Sequence, residues 1–322
     1  MIPKVSVIVP VFNAGERLCQ CLDSLTNQTL KEIEIIIVLD CPTDGSDKVA
    51  ERYASKDSRI KLIRNRENLN IGFSRNEGLK IAQGEYVGFS DHDDYCEPQM
   101  FEHLYRNATD RDADIVISDI GEDINGMKHT TGFPENSDNF RESYLRSLIN
   151  GSPFNRGTHS FDNCNSIWNQ IYRRTFLQEN NVTFSDNRVV TYEDSLFLIK
   201  AYSLAKSVSY IPETLYYHVE TGENEYHSYS YRSITKVCNY LYEMIEFLKG
   251  SGDAYRQEIS NSVFQRIFTS LLNELHFKGL CAFFKAMRQV RSNISLITCI
   301  KSPKPSVRLT FAKRFVLRYL NR

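Results

Sequence analysis

The sequence predicts an α/β fold: a mostly parallel sheet covered by helices. Three observations support this. Short apolar runs rich in β-branched residues recur through the first hundred positions, stretches with apolar residues at helical spacing separate them, and turn-forming residues follow each run directly. Strands that alternate with helices need crossover connections, and crossovers leave neighbouring strands parallel.

In chain order, Val5–Val9 is the first strand, and Leu18, Cys21, Leu22 and Leu25 form the apolar stripe of the helix after it. Ile33–Leu39 is the second strand, followed by a helix carrying Val49, Ala50, Tyr53 and Ala54 on one side. Ile60–Ile63 and Tyr86–Phe89 continue the pattern as strands. After Ile120 the alternation lapses into the polar stretch Gly121–Asn139, which reads as a surface loop or hairpin rather than a core strand. From Ser233 onward the pattern is helical, with Tyr240, Leu241, Met244, Ile245 and Leu248 on one face, then Val263, Ile267, Leu271 and Leu275. The expected division is a catalytic unit over residues 1–228 and a helical region over 229–322, which a chain of 322 residues accommodates.

The net charge of −1 hides an asymmetry. Residues 275–322 hold eleven Lys or Arg and no Asp or Glu, so the other 274 residues carry −12. The eight cysteines are irregularly spaced with no C-x-x-C pair, which fits neither a zinc site nor a disulfide framework. Met1-Ile2-Pro3-Lys4 runs straight into the first strand with no apolar leader, and no apolar run approaches the ~20 residues of a membrane span. The expectation is a cytoplasmic protein.

Ligands of such sheets sit beyond the carboxyl ends of the strands. The segments that matter most are therefore Pro10-Val11-Phe12-Asn13, Asp40-Cys41-Pro42-Thr43-Asp44-Gly45 and Ser90-Asp91-His92-Asp93-Asp94. In an extended segment Asp91 and Asp93 share one face, with His92 and Asp94 on the other. Two carboxylates so placed suit a hard divalent cation that also binds phosphate oxygens, and a solvated acidic turn is the competing reading. Asp40 suits hydrogen bonds from a base edge or ribose, or else merely forms a turn ahead of Pro42 and Gly45. Arg75 follows Gly72-Phe73-Ser74 at a predicted helix start, where free amides and a guanidinium attract a diphosphate; a solvent-facing Arg is the alternative. Thr191-x-x-Asp194 is a capping-box-like pattern. Against it stands a general base, a carboxylate in a partly dry cleft with a raised pKa.

These signals arrive in a recognisable order. SVIVPVFN (6–13), Gln28-Thr29, IIIVLDCPTDGS (35–46), NLNIGFSRNEGLKIAQGEYVGFSDHDD (68–94), WNQIYRRTFL (168–177), YEDSLF (192–197) and Leu215-Tyr216-Tyr217 together resemble the family 2 glycosyltransferases of the GT-A fold. The resemblance spans residue 4 to about residue 220. It implies a nucleotide-sugar site at Pro10, Val11, Phe12, Asn13, Asp40, Arg75, Asp91 and His92. Pro10 and Phe12 match the segment lining the base pocket, Asp40 the Asp that holds the base, and Arg75 an Arg near the diphosphate. Asp91 and Asp93 match the D-x-D motif, with Asp93 and Asp91 as ligands of Mn²⁺ or Mg²⁺, and Asp194 matches the catalytic base. The implied reaction is inverting transfer of a sugar from a nucleoside diphosphate, expected to be UDP, to a hydroxyl of a glycan or lipid-linked acceptor in polysaccharide biosynthesis. One departure is Val38-Leu39-Asp40-Cys41-Pro42-Thr43-Asp44, where relatives commonly read V-D-D-G-S-T-D. His218 and His227 fall where a loop would close over the donor, and an ordinary surface or packed His is the competing reading for each.

Other classes fit less well. A dinucleotide oxidoreductase needs G-x-G-x-x-G after the first strand, and Pro10-Val11-Phe12-Asn13 is not that. A sugar-phosphate nucleotidyltransferase needs a Gly-rich N-terminal loop. A non-catalytic nucleotide-sugar-binding or scaffold subunit remains the alternative, though it has no need of Asp194. In the tail, Lys285, Arg288, Arg291, Lys301, Lys304, Arg308, Lys313, Arg314, Arg318 and Arg322 interleave with apolar residues such as Phe283, Phe284, Phe311, Phe315 and Tyr319. That pattern suits an interfacial anchor on an anionic membrane surface at the inner face of the cell membrane. Folding back on the acidic remainder, or pairing in a homo-oligomer, competes with it. No nucleic-acid reading motif accompanies the charge.

Overall fold

The structure, a computed structural model, describes residues 2–133, 139–151, 166–220 and 233–293. Its first half follows the expected alternation closely. β1 (Val5–Val11), β2 (Ile33–Leu39), β3 (Ile60–Arg64) and β4 (Tyr86–Phe89) are parallel neighbours in the order β3-β2-β1-β4. Every residue of β1, β2 and β4 is buried. Continuous apolar runs of this kind belong to parallel strands covered on both faces. Between them lie α1 (Arg17–Thr26), α2 (Ser46–Ala54) and α3 (Asn70–Ile81). α1 buries the four predicted residues Leu18, Cys21, Leu22 and Leu25. α3 packs on β1 and β2, and Gly78 permits the approach, because a Cβ there would lie 2.5 Å from Cγ2 of Ile8.

The second half is mixed, so parallel pairing governs only part of the sheet. After β5 (Tyr95–Cys96) and α4 (Met100–Asp110), β6 (Ile115–Ile124) forms a hairpin with β7 (Met127–Thr131). The hairpin turns at Asn125-Gly126, whose positive φ values of 52° and 82° suit a two-residue connection. The polar stretch from Gly121 is thus a hairpin, as expected, but its first strand also belongs to the sheet interior. β6 runs on through Ile124 beside β9 (Val208–Glu220), and Gly121 lies so close to the Tyr217 ring that a Cβ would fall 2.5 Å from it. α5 (Phe140–Asn150) follows, then β8 (Gln170–Arg173), which pairs antiparallel with both β4 and β6 and joins the two halves. α6 (Arg174–Glu179) and α7 (Glu193–Leu204) precede β9. The full order is β3-β2-β1-β4-β8-β6-β9-β5, with β7 on β6.

Two helices complete the described chain, α8 (Ile234–Leu248) and α9 (Arg256–Arg291). α8 buries Tyr240, Leu241, Met244 and Leu248, and α9 buries Val263, Ile267 and Leu271. They pack on each other and on α7 and α5. α9 bends at Gly279, whose φ of 79° no helical residue adopts. The expected boundary at 228/229, His227 and the tail from residue 294 lie outside the described residues. No helix among the described residues is long and apolar enough to cross a membrane.

Candidate active site

The carboxyl ends of β1, β2 and β4 meet at one edge, and side chains tie their loops together. Asn13, at the end of β1 with φ 49°, accepts hydrogen bonds through Oδ1 from the amide of Thr43 at 2.8 Å and its hydroxyl at 3.3 Å. Asp44 accepts from the Gly15 amide at 2.7 Å. Asp40 is 3% exposed, and its Oδ1 accepts from the Leu69 amide and Asn65 Nδ2, each at 2.7 Å. Its Oδ2 makes no hydrogen bond to any described residue, which leaves an acceptor for a ligand. Pro10 and Val11 are buried at the end of β1, whereas the Phe12 ring is 42% exposed beside them. Half-buried His92 brings Nδ1 within 3.2 Å of the Pro10 carbonyl, so the β1 and β4 loops also touch.

Arg75 is not where its sequence context suggested. α3 begins at Asn70, five residues before it, and three of the amides at that end already have side-chain partners. Leu69 donates to Asp40, Asn70 to Asn68 Oδ1 at 3.1 Å, and Gly72 to Asn187 Oδ1 at 2.8 Å. The Arg75 side chain turns inward instead. Only 2% exposed, it donates to Asp91 Oδ1 at 2.8 Å and to Glu193 Oε1 at 3.2 Å, with its guanidinium 5.3 Å from the Phe184 ring centroid. A guanidinium matches two carboxylates better than a point charge would, and such a buried pair is tolerable only with this pairing.

The acidic run after β4 is a turn and not an extended segment, so alternation does not decide which carboxylates face together. The Asp94 amide lies 3.4 Å from the Asp91 carbonyl. The three carboxylates have three different fates. Asp91 is paired with Arg75, and its amide donates to the Tyr216 hydroxyl at 3.1 Å. Asp94 is fully buried and accepts from the Tyr216 hydroxyl and the Val219 amide, both at 2.9 Å, and lies 3.1 Å from His218 Nδ1. Burial pushes Asp94 up to about 6 against the pull of His218. Burial draws His218 down, but Asp94, with Asp93 and Asp91 beyond it, outweighs that and lifts the imidazole to about 9. The His218 ring also stacks on Trp168, centroids 5.7 Å apart. Asp93 is half-buried and makes no hydrogen bond or ion pair with a described residue.

That pattern fits a divalent cation. Asp93 offers a carboxylate with no protein partner, and Asp91 sits two residues away with one oxygen on Arg75. Among the described residues no group of three or more ligating side chains gathers. One or two carboxylates suit Mg²⁺ or Mn²⁺, which complete their shells with water and phosphate oxygens.

Glu193 and Asp194 open α7 directly beside this turn. The capping box does not form: the N-cap residue is Tyr192, with φ 54° and no side-chain cap, and the Thr191 hydroxyl is buried without a hydrogen-bond partner. Burial, with Asp194 alongside, pushes Glu193 up to about 7 against the pull of Arg75. Burial also raises half-buried Asp194, opposed by Arg75 and by the Ser195 amide, which donates to Asp194 Oδ1 at 2.7 Å. A carboxylate raised by burial is a stronger base than an ordinary one, which suits proton abstraction. Glu193, Asp94, Tyr216 and Trp168 were not assigned roles from sequence. The third acid after D-x-D and the Tyr216-Tyr217-His218 run were the available signals.

The glycosyl transferase family 2 model matches residues 6–179, more than half of the chain. The chain is a family 2 glycosyltransferase. The enzyme is 32% identical to the glycosyltransferase EpsH of Bacillus subtilis (strain 168) over 298 residues, covering 89% of this chain and 82% of that one. It is 30% identical over 233 residues to the poly(ribitol-phosphate) beta-N-acetylglucosaminyltransferase TarS of Staphylococcus aureus, covering 71% of this chain but 38% of TarS. The crystal structure of TarS in complex with UDP-GlcNAc superposes with a TM-score of 0.71 at 23% identity, over 92% of this chain and 81% of that one, which establishes the GT-A fold. The mannosyltransferase PcManGT of Pyrobaculum calidifontis, solved with GDP-Man and Mn²⁺, has a TM-score of 0.52 at 15% identity, over 100% of this chain and 86% of that one.

The triad of buried Arg75 and Glu193 with half-buried Asp91 makes a stability prediction. Arg75→Met leaves two carboxylates without their cation and costs about 3–5 kcal/mol. Glu193, already raised by burial, then holds its proton more tightly still in the folded state than in the unfolded, so stability falls as pH rises, and the deficit is larger near about pH 8 than about pH 5. Urea unfolding of both proteins at the two pH values measures this. An equal deficit at both would contradict the pairing.

Proposed function

We propose that the enzyme transfers a sugar, with inversion, from a UDP-sugar to a hydroxyl of a glycan or lipid-linked acceptor in surface-polysaccharide synthesis. The observation that carries it is that Arg75 ties Asp91, two residues before Asp93, to Glu193, next to Asp194; Asp93 has no hydrogen bond or ion pair among the described residues, and burial raises Asp194. The acceptor oxygen attacks the anomeric carbon and its proton passes to Asp194. The bond from that carbon to the phosphate oxygen breaks, and the diphosphate leaves with the electron pair. One displacement with one base inverts the anomeric centre. In this reading Asp40 Oδ2, which accepts no protein hydrogen bond among the described residues, and the exposed Phe12 ring take the base and ribose, and Asp91, bonded to Arg75, meets the ribose and diphosphate. When bound at Asp93 and Asp91, Mn²⁺ or Mg²⁺ supplies positive charge to the departing diphosphate. UDP as carrier is supported by TarS, crystallised with UDP-GlcNAc, and a polymer acceptor by the poly(ribitol-phosphate) that TarS modifies.

A membrane-surface location is supported by α9 as well as by the composition of the tail. Phe277, Leu280 and Phe284 are 53%, 64% and 41% exposed, among exposed Lys278, Lys285, Arg288 and Arg291. The last acidic residue before them, Glu274, is buried. Each cation near an anionic surface contributes about 1 kcal/mol, and the apolar side chains add insertion.

Three outcomes follow. Asp93→Asn abolishes the Mn²⁺-dependent part of UDP-sugar binding in calorimetry and most transfer, because a neutral amide replaces the hard ligand. Binding that ignores both chelator and substitution would remove the metal from the reading. Asp194→Asn keeps donor affinity and lowers the transfer rate by about 10²–10⁴, the range for loss of a general base. Unchanged turnover would reassign the base. Full-length protein co-sediments with phosphatidylglycerol vesicles at low salt and releases as salt rises, and Leu280→Glu with Phe284→Glu weakens the binding. Absence of low-salt sedimentation would refute the membrane location.

A further inference from the structure

The helix start that carries Asp194 is entered through a left-handed residue. Tyr192 precedes Glu193 with φ 54° and ψ 45°, a left-handed conformation that a bulky L residue keeps only when its surroundings hold it there. No side chain caps the helix. The holding group comes from the far end of the chain. The Arg266 guanidinium of α9 lies 4.3 Å from the Tyr192 ring centroid and 4.9 Å from that of Tyr240 in α8. The two rings meet edge to face, 5.6 Å apart at 73°. Arg266 is itself fixed: its Nε donates to Ser262 Oγ at 3.3 Å, and its Nη2 lies against Gly151, where a Cβ would fall 3.0 Å away. A cation set against two aromatic faces is a directional contact as well as an attractive one.

We infer that Arg266 is a positioning residue for the catalytic base: by stacking on Tyr192 it holds the left-handed turn that aims Asp194 into the cleft. The helical region is then part of the catalytic apparatus and not an appendage to it. The positive charge also acts on Asp194 directly, opposing the burial that raises it. The inference rests on the reading of Asp194 as the base.

The test is a double-mutant cycle read by uncoupled hydrolysis of UDP-sugars, using UDP-N-acetylglucosamine, UDP-glucose and UDP-galactose with Mn²⁺. In that reaction water takes the acceptor's place and gives its proton to Asp194. Arg266→Gln is expected to lower kcat about tenfold to a hundredfold, the scale of a misplaced catalytic group, with donor KM and calorimetric Kd changed less than about twofold. Arg266→Lys, which keeps the charge near the rings but loses the planar face, recovers part of the rate lost in Arg266→Gln. On an Asp194→Asn background Arg266→Gln costs less than about twofold more, because residues acting through one another are not additive. If Arg266→Gln does not fold, Tyr192→Leu removes the other side of the stack and is held to the same expectations. A kcat within twofold of the unaltered enzyme, losses that multiply in the double variant, or donor affinity that falls in step with kcat would each overturn the inference. Asp194→Asn at full rate would instead overturn the base assignment, and the positioning role with it. An impaired Asp194→Asn beside an unimpaired Arg266→Gln would overturn the positioning role alone.

Discussion

The site depends on one buried cation. Arg75 reaches from α3 to the turn after β4 and to the start of α7, and it neutralises a carboxylate on each. Without a guanidinium there, Asp91 and Glu193 would be like charges buried close together, and the low local dielectric would push the two segments apart. With it, the Asp91–Asp94 turn and the start of α7 are tied together by one side chain. A role near the diphosphate is compatible with this, since the guanidinium orders the carboxylates proposed to meet the donor. Its charge, however, is already committed within the protein.

Around that cation the backbone departs from ordinary geometry where ligands are expected. Asn13, Cys41, Asn70 and Tyr192 all have positive φ, and they end β1, end β2, open α3 and open α7 respectively. Asn visits the left-handed region more readily than bulkier residues, and Asn13 is also held there by its bond to Thr43 in the loop after β2. Cys41 and Tyr192 have no such advantage and are held by their surroundings. Cys41 is also where the chain departs from the common family pattern, so the altered residue occupies a constrained turn beside Asp40. The Asp40 carboxylate is unaffected by that departure, since Asn65 and Leu69 orient it from α3's approach rather than from its own loop.

The second half of the sheet supplies support more than chemistry. β9 delivers Tyr216 and His218 to the D-x-D turn, where they fix Asp94 and the Asp91 amide. With Asp94 and Asp91 so occupied, Asp93 is left as the turn's available carboxylate. Three adjacent acids in one turn would repel one another in isolation. Here His218 and Arg75 each neutralise one, which makes the third affordable in a half-buried place.

The sequence by itself determined the strands of the parallel half, the buried faces of α1, α8 and α9, and the family through its acidic motifs. All of these rest on local periodicity or short-range spacing, which tertiary contacts reinforce but do not create. It also pointed to the carboxyl ends of β1, β2 and β4 as the candidate site, because ligands of parallel sheets sit beyond those ends. Only the tertiary structure decided how those residues are used. Arg75 meets a partner 118 residues away, and no local pattern specifies that pairing. The 91–94 turn takes its shape from Tyr216 and Arg75, so the alternation expected of an extended strand had no bearing on it. Thr191-x-x-Asp194 has the spacing of a helix cap, yet the chain enters α7 through a left-handed Tyr192 and leaves the Thr191 hydroxyl unbonded. Likewise the antiparallel insertion of β8 between β4 and β6 depends on which edges remain open once the parallel half has formed, a property of the assembled sheet and of no single segment.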